Sequence, residues 1–150
     1  MKAANTVAPG RRPFHTIIPG FVTKPGPDGK QVPWLSFGIV GGPQQPQAHV
    51  QVLLNILLFD MDVQQALDAP RFRHWRASSV TFEAPIPDST IDRLRTMGHR
   101  TQDPLMEVGS VLLVGKNMGL IFGGGQAIMR TDRGYIAGSD SRRDGLAAAY

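Results

Sequence analysis

The sequence predicts an α+β domain in which helices lie on one face of a mostly antiparallel sheet. Two runs rich in β-branched and aromatic residues flank a Pro-Gly turn in the first third of the chain, and a similar pair flanks Asp132-Arg133-Gly134 near the end. A long apolar segment with helical spacing lies between them. Elements mixed in this order suit a helix layer packed on a sheet, and 150 residues are enough for one domain with its own core.

The first predicted elements form a hairpin. Residues 1–11 carry no periodic pattern and are interpreted as an irregular lead to a domain that spans residues 12–150. Residues 14–23 are predicted as a strand that bends or ends near Pro19-Gly20, and residues 34–40 as a second strand. The intervening KPGPDGK is typical of a turn, so the two strands are expected to pair antiparallel.

Two helices are predicted after this hairpin. Pro43 and Pro46 are tolerated only near a helix start, so the first helix is expected to begin between them and to run to about Asp60. Its large apolar residues fall at helical spacing, and the helix is expected to be buried on most sides. These residues are Val50, Leu53, Leu54, Leu57 and Leu58, and Val52 and Ile56 widen the apolar region. Asp62 is predicted to N-cap a short helix over residues 63–67, with Gln65 in the capping-box position.

The second half of the chain is predicted to contribute five strands and one helix. Asp88 is expected to cap that helix and Gly98 to close it. The strands are predicted over residues 72–75, 80–83, 108–114, 126–131 and 135–138, and the helix over residues 90–97. The last two strands form a hairpin.

Composition excludes several classes of function. The chain has no cysteine, which removes thiol catalysis, disulfides and thiolate metal sites. The longest apolar stretch, residues 52–59, is far shorter than the roughly 20 residues of a membrane span, so no membrane partner is expected. No apolar signal segment follows Lys2, and a cytoplasmic protein is the default expectation. No cofactor is predicted.

The net charge of +4 raises the question of nucleic-acid binding. The densest basic cluster is Arg71, Arg73, His74 and Arg76, with Phe72 and Trp75 between them. A nucleic-acid face and a strand with alternating exposed arginines both account for it, and the strand is favoured because the other basic residues are scattered. No nucleic-acid partner is therefore expected.

The most informative feature for function is the sequence SFGIVGGP, in which a strand ends in Gly41 and Gly42 just before a helix. The N–H groups of these glycines have no assured strand partner and lie near the positive end of the helix dipole. Two such donors without Cβ atoms can bind an anion or an oxyanion. A tight strand-to-helix turn that simply needs glycine is the alternative, and the pattern alone does not exclude it.

Other candidate sites are weaker. The four histidines are far apart and show no metal-ligand spacing, and His49 on the long helix is interpreted as structural. No serine has a nucleophile-elbow context. The charged loop at residues 139–145 is interpreted as a structural turn in which Asp140 and Asp144 either pair with Arg142 or Arg143 or cap nearby backbone groups.

Five motifs occur in an order that resembles the γ-glutamyltranspeptidase family, closest to its bacterial γ-glutamyltransferase-like and acylase-like branch. The resemblance runs from about Arg11 to Tyr150. The motifs are RPFHTIIPGF at 12–21, SFGIVGG at 36–42, QPQAH at 45–49, QQALDAPR at 64–71, and GSD at 138–140 with RDG at 143–145.

The resemblance implies the C-terminal portion of an αββα sandwich of the N-terminal-nucleophile (Ntn) hydrolase type. In that family a processed threonine attacks a γ-glutamyl amide, and paired glycines, matched here by Gly41 and Gly42, supply oxyanion-hole amides. A Ser-Ser-Met stretch that holds the substrate's α-carboxylate is replaced by His15, Thr16 and Ile17. The resemblance therefore implies amide or acyl transfer more firmly than a strict γ-glutamyl substrate.

The family's threonine, in its Thr-x-His context, does not occur in this sequence. The resemblance thus implies a fragment that is inactive alone and that takes a small-molecule amide substrate only when another part completes it. The alternative is a non-catalytic interaction module that exposes an apolar sheet face and binds a partner or a second copy.

Overall fold

The computed structural model describes residues 6–101 and 119–148, and its architecture is α+β, as predicted, with a helix layer and two separate sheets. The larger sheet contains four antiparallel strands in the order β1-β2-β6-β7. These strands are β1 Gly20–Pro25, β2 Gln31–Val40, β6 Gly124–Thr131 and β7 Gly134–Ser139. Both predicted hairpins are confirmed, since β1 pairs with β2 and β6 with β7.

The first strand is shorter at its start than the sequence suggested. Residues 14–19 lie outside any strand, and β1 begins at Gly20, where the predicted strand was expected to bend or end. Gly20 lies opposite Phe37 of β2, and a Cβ atom at Gly20 would lie 2.4 Å from the Phe37 ring. The pairing with β2 therefore starts at the residue that leaves room for this ring.

The smaller sheet contains three strands in the order β3-β4-β5. These are β3 Phe72–His74, β4 Ser79–Phe82 and β5 Arg100–Thr101, with β3 antiparallel and β5 parallel to β4. The helix α3 Asp88–Thr96 precedes β5. Its N-cap is Pro87, so the prediction of Asp88 as the cap was wrong, and Asp88 instead lies in the first turn. The strand predicted at 108–114 lies outside the described residues.

Two helices cover one face of the larger sheet. A single 3-10 turn at Gly42–Gln44 leads into α1 Gln45–Leu57, and α2 Val63–Asp68 follows. The predicted capping box of α2 is present, with Asp62 accepting from Gln65 N–H and Gln65 accepting from Asp62 N–H. The two helices and β2 enclose the core, which contains Leu35, Phe37, Ile39, Ala48, Val52, Ile56, Val63, Ala66 and Leu67.

The prediction that α1 is buried on most sides was wrong, although Leu53 of the predicted stripe packs against the core. The buried face is Ala48, Val52 and Ile56, whereas Val50 and Leu57 are each 56% exposed. The face that carries Ala48, Val52 and Ile56 packs on the sheet, and Gln47 and Gln51 hydrogen-bond to β3, so the opposite face is left in solvent. Among the described residues, no helix is long and apolar enough to cross a bilayer.

Candidate active site

Gly41 and Gly42 lie where β2 leaves the sheet and the helix layer begins. Val40 is the last residue of β2 to pair with β6, and its partner is Gly124. Gly41 has φ 139° and Gly42 has φ 57°, so both have backbone conformations that favour glycine. Within residues 6–101 and 119–148, neither N–H group has a hydrogen-bond acceptor. Two unpaired donors therefore stand next to each other at the start of the helix layer.

The carbonyl groups of the same two glycines are used by the helix start. Gln44 N–H donates to the Gly41 carbonyl at 3.2 Å, and Gln45 N–H donates to the Gly42 carbonyl. The Gln44 side chain is fully buried, and its Nε2 donates to the Phe72 carbonyl at 3.0 Å. The turn is thus anchored both to α1 and to β3, which fixes the peptide planes of the glycines.

Gly41 is also fixed by a close contact with the backbone of Gly123. A Cβ atom at Gly41 would lie 2.9 Å from Gly123 Cα, and one at Gly123 would lie 2.4 Å from the Val40 carbonyl oxygen. Gly123 itself has φ 79°. Glycine is required at both positions because the two chain segments touch through their backbones. At Gly42, by contrast, the space that a Cβ atom would occupy is open, so a ligand can approach.

His15 and Thr16 lie in an exposed segment without regular secondary structure that precedes β1. Gln45 Nε2 donates to the Thr16 carbonyl at 3.2 Å, which places this segment beside the first turn of α1. His15 makes no hydrogen bond within the described part of the chain. Thr16 therefore contacts the start of the helix that follows the glycine pair, while a substrate pocket formed by His15 and Thr16 stays a prediction.

A buried ion cluster behind the site was missed by the sequence reasoning. Arg71 Nη2 lies 2.6 Å from Asp140 Oδ2, and both side chains are at most 1% exposed. Arg142 pairs with Glu83 at 2.5 Å and with Asp140 at 3.1 Å. The prediction of alternating exposed arginines was wrong for Arg71, because this side chain points into the structure. The predicted pairing of Asp140 with Arg142 is present, within a much larger cluster.

The cluster satisfies its buried charges with backbone groups as well. Asp140 accepts from Gly125 N–H at 2.9 Å. Arg71 donates to the carbonyl groups of Leu67 and Phe122, and Arg142 donates to those of Leu67 and Ala69. This matters because a buried charge is tolerated only when it is both paired and hydrogen-bonded.

The two arginines respond differently to this environment. Burial, together with the positive charge of Arg142, lowers the pKa of Arg71 despite the attraction of Asp140. Burial also opposes the charge of Arg142, but hydrogen bonding and attraction from Glu83 outweigh it and raise the pKa of Arg142. Both groups stay charged at neutral pH because a guanidinium does not deprotonate in proteins.

The cluster supports the glycine pair through one short path. Arg71 Nη1 donates to the Phe122 carbonyl at 3.2 Å, and the next residue, Gly123, is the one that contacts Gly41. The signals for it in the sequence were the motifs QQALDAPR and GSD, which contain Arg71 and Asp140. Nothing in the spacing of these residues indicates that they pair, because 69 positions separate them.

The remaining candidates carry no reaction chemistry in the described structure. His49 Nδ1 lies 2.6 Å from the Gln45 carbonyl, and its ring packs against Phe37 with centroids 4.9 Å apart. Arg73 stacks over Trp75 at 3.9 Å, and its Nη1 donates to the Ile121 carbonyl. Across the described ranges, no three histidine or acidic side chains come together as a metal site.

Comparison with known proteins places this geometry in context. The family model described as Gamma-glutamyltranspeptidase matches residues 1–150. Over 95% of its length the chain is 31% identical to the Glutathione hydrolase-like YwrD proenzyme of Bacillus subtilis, and over 98% it is 32% identical to the Glutathione hydrolase proenzyme of Pseudomonas sp.. It covers 25% and 24% of these two proteins, so it spans about a quarter of their length.

The structure is also similar to that of a solved enzyme. The cephalosporin acylase from Bacillus halodurans superimposes with a TM-score of 0.73 and 37% sequence identity, over 96% of this chain and 24% of the acylase. The similarity thus covers both the sequence and the fold.

Proposed function

The chain belongs to the gamma-glutamyltranspeptidase family, and on this premise we propose that it supplies the oxyanion-stabilising part of an Ntn amidohydrolase active site. The observation that carries the proposal is the pair of unpaired N–H groups at Gly41 and Gly42. When a nucleophile attacks an amide carbonyl, negative charge develops on the oxygen, and two fixed N–H donors stabilise it. One such donor accounts for a factor of about 10²–10³ in rate.

The arrangement suits this role because the donors are fixed before the reaction begins. The Gly41 and Gly42 carbonyl groups accept hydrogen bonds from the N–H groups of Gln44 and Gln45. The close contact with Gly123 prevents Gly41 from moving toward that residue. Donors that do not reorganise stabilise a transition state more effectively than mobile ones. The nearby helix N-terminus adds a partial positive charge of the right sign.

The substrate proposed for the complete enzyme is a γ-glutamyl amide of the glutathione type or a related amide. Relatives named as glutathione hydrolase proenzymes and as a cephalosporin acylase support this range. We propose that His15 and Thr16 contact the acyl group of the substrate. The hydrogen bond from Gln45 to the Thr16 carbonyl brings their segment near α1. The hydroxyl of Thr16 supplies one hydrogen bond, and His15 sets the size of the pocket.

The nucleophile is proposed to come from outside these 150 residues. None of the threonines in the sequence is followed by histidine two positions later, which is the context of the family's nucleophile. The chain alone is therefore expected to be inactive. It becomes active when combined with the part of a relative that precedes the region matched by this chain.

The test uses γ-glutamyl-p-nitroanilide. The purified chain is expected to release no p-nitroaniline above the buffer rate, and co-expression with the preceding part of the B. subtilis relative is expected to restore release. Turnover by the purified chain itself would defeat the claim that it needs a completing part. A stable, purified combination that releases nothing would count against the proposed active site.

A second candidate function is a non-catalytic interaction module. The outer face of α1 carries Val50, Leu54 and Leu57, and Leu58 and Phe59 follow it at 69% and 65% exposed. A contiguous apolar face of this kind marks an interaction site. Sedimentation of the chain distinguishes the candidates: self-association that ends with Leu57→Glu supports the module, and a monomer at all concentrations opposes it.

A further inference from the structure

Gln44 is completely buried between the glycine pair and α1, and only one end of its side-chain amide is hydrogen-bonded. Its Nε2 atom donates to the Phe72 carbonyl at 3.0 Å, and this fixes the orientation of the amide because a carbonyl oxygen only accepts. The Oε1 atom at the other end is also buried, and no donor among residues 6–101 and 119–148 reaches it. Half of this buried amide is therefore unsatisfied.

The Phe72 carbonyl does not depend on Gln44 for a hydrogen bond. Gln51 Nε2 donates to the same carbonyl at 3.0 Å, and Gln51 Oε1 accepts from Phe72 N–H at 3.0 Å. Gln47 forms the same pair of bonds with the backbone of His74. These two glutamines use both ends of their amides on the edge of β3, so the donor of Gln44 is redundant there.

The half-bonded amide of Gln44 does not serve stability. Burying an acceptor without a donor costs at least as much free energy as one ordinary hydrogen bond contributes. A methionine at this position would fill a similar space without a polar atom, and the Phe72 carbonyl would keep its bond from Gln51. A buried polar group that leaves stability unimproved calls for another role.

The hydrogen bonds of Gln44 act on the peptide group that joins Gly41 to Gly42. The backbone N–H of Gln44 donates to the Gly41 carbonyl at 3.2 Å, while its side chain anchors the residue to β3. The Gly41 carbonyl and the Gly42 N–H belong to one planar trans peptide group, so they point in opposite directions. Holding the carbonyl toward Gln44 therefore fixes the direction of the Gly42 N–H.

We propose that Gln44 is a positioning residue, which aims the Gly42 N–H at the oxyanion of the reaction by anchoring the Gly41–Gly42 peptide to β3. The inference rests on the proposed function and deepens it, because it names the residue that sets the angle of one oxyanion donor. A hydrogen bond weakens steeply when it is misaligned, and this donor acts on charge that develops only in the transition state. A small rotation of the peptide therefore lowers kcat and leaves KM unchanged.

The test is Gln44→Met, compared with Gln47→Met as the matched control from the same helix. The chain combined with the preceding part of its B. subtilis relative is assayed with γ-glutamyl-p-nitroanilide, and the chain alone is unfolded in urea. Gln44→Met is expected to lower kcat about tenfold at unchanged KM, with a urea midpoint that is equal or higher. Gln47→Met is expected to show the reverse, a lower urea midpoint and an unchanged kcat, because it loses two satisfied bonds of β3.

A readout that needs no activity is the ¹⁵N NMR spectrum of the intact chain. The amide signal of Gly42 is expected to move in Gln44→Met, because the orientation of its peptide group changes. The same signal is expected to stay in place in Gln47→Met, whose bonds lie on β3.

Every other outcome overturns the role of Gln44. An unchanged kcat or an unmoved Gly42 signal in Gln44→Met would show that this side chain does not orient the donor. A urea midpoint that falls as far as that of Gln47→Met would show that Gln44 acts through stability. These three results leave the proposed function standing. A stable combination with the unaltered chain that releases no p-nitroaniline contradicts the proposed function itself, and the role of Gln44 fails with it.

Discussion

Arg71 and Asp140 form a fully buried ion pair, with Arg71 Nη2 2.6 Å from Asp140 Oδ2, and they join parts of the chain that are 69 positions apart. Arg71 precedes β3, and Asp140 follows β7. Through Arg71 the pair also binds the Phe122 carbonyl, next to the glycine that supports Gly41. The ion pair thus connects the start of β3, the end of β7 and the chain segment that contacts the proposed oxyanion site.

Removing one member of this pair is expected to destabilise the chain strongly. Asp140→Asn leaves the buried Arg71 guanidinium without its counter-charge, and we expect the free energy of unfolding to fall by about 3 kcal/mol or more. Urea unfolding measures the change. Asp28→Asn breaks an exposed pair with Lys30 and serves as control, with almost no expected effect. Equal effects of the two changes would show that the buried pair adds nothing.

Gln47 is expected to stabilise the free edge of β3. Its amide accepts from His74 N–H at 2.8 Å and donates to the His74 carbonyl at 2.9 Å, as a neighbouring strand would. Gln47→Leu leaves both groups to water, and we expect a loss of about 1 kcal/mol in urea unfolding. Gln31→Leu, at an exposed strand end, is the control. An unchanged free energy of unfolding in Gln47→Leu would mean that the hydrogen bonds of Gln47 do not stabilise the edge of β3.

The two faces of α1 are expected to respond oppositely to truncation. Val52 is fully buried, and Val52→Ala should lower the free energy of unfolding by about 2 kcal/mol through the cavity that it leaves. Leu57 is 56% exposed, and Leu57→Ala should change stability by less than about 0.5 kcal/mol. Thermal unfolding of the two variants measures both losses. A larger loss of stability for Leu57→Ala than for Val52→Ala would contradict the assignment of Val52 to the buried face.

Asp68 is expected to contribute to the free energy of unfolding at neutral pH and to lose this contribution in acid. Burial alone would raise the pKa of Asp68, but hydrogen bonds donated by Gln64 and by Ser141 N–H outweigh it and lower the pKa below 3.8. Its contribution is therefore complete above the unfolded pKa and is lost as pH falls through the folded value. The difference in unfolding free energy between the unaltered chain and Asp68→Asn should shrink between pH 7 and pH 3. A difference that is constant or grows on acidification contradicts this assignment.

Local patterns predicted the local structure well. The turn between β1 and β2, the capping box at Asp62 and the hairpin at Asp132-Arg133-Gly134 follow from residues within a few positions of one another. The Gly-Gly end of β2 was visible for the same reason. Each of these features depends on conformational preferences that the neighbouring residues alone determine.

Features set by distant contacts were not visible. The apolar residues of α1 were expected to be buried on most sides, but only the face of Ala48, Val52 and Ile56 packs on the sheet, and only the packed structure shows this. The Arg71–Asp140 pair and the contact of Gly123 with Gly41 also join residues that are far apart in sequence. A charged residue in a loop gives no sign of whether it will be buried.

The most direct test of the oxyanion site compares Gly42 with Gly29, a glycine of similar backbone conformation in the turn between β1 and β2. Gly42 and Gly29 have φ 57° and 75°, and a Cβ atom would meet nothing within 4 Å at either position. Gly42→Ala and Gly29→Ala should therefore cost similar stability, about 1 kcal/mol.

The decisive measurement is the rate of p-nitroaniline release from γ-glutamyl-p-nitroanilide by the chain combined with the preceding part of its B. subtilis relative. We expect Gly29→Ala to keep the rate of the unaltered chain, and Gly42→Ala to lose about a hundredfold, because the added methyl group displaces the oxyanion from its donors. Equal rates for the two variants would contradict the assignment of Gly41 and Gly42 as the oxyanion site.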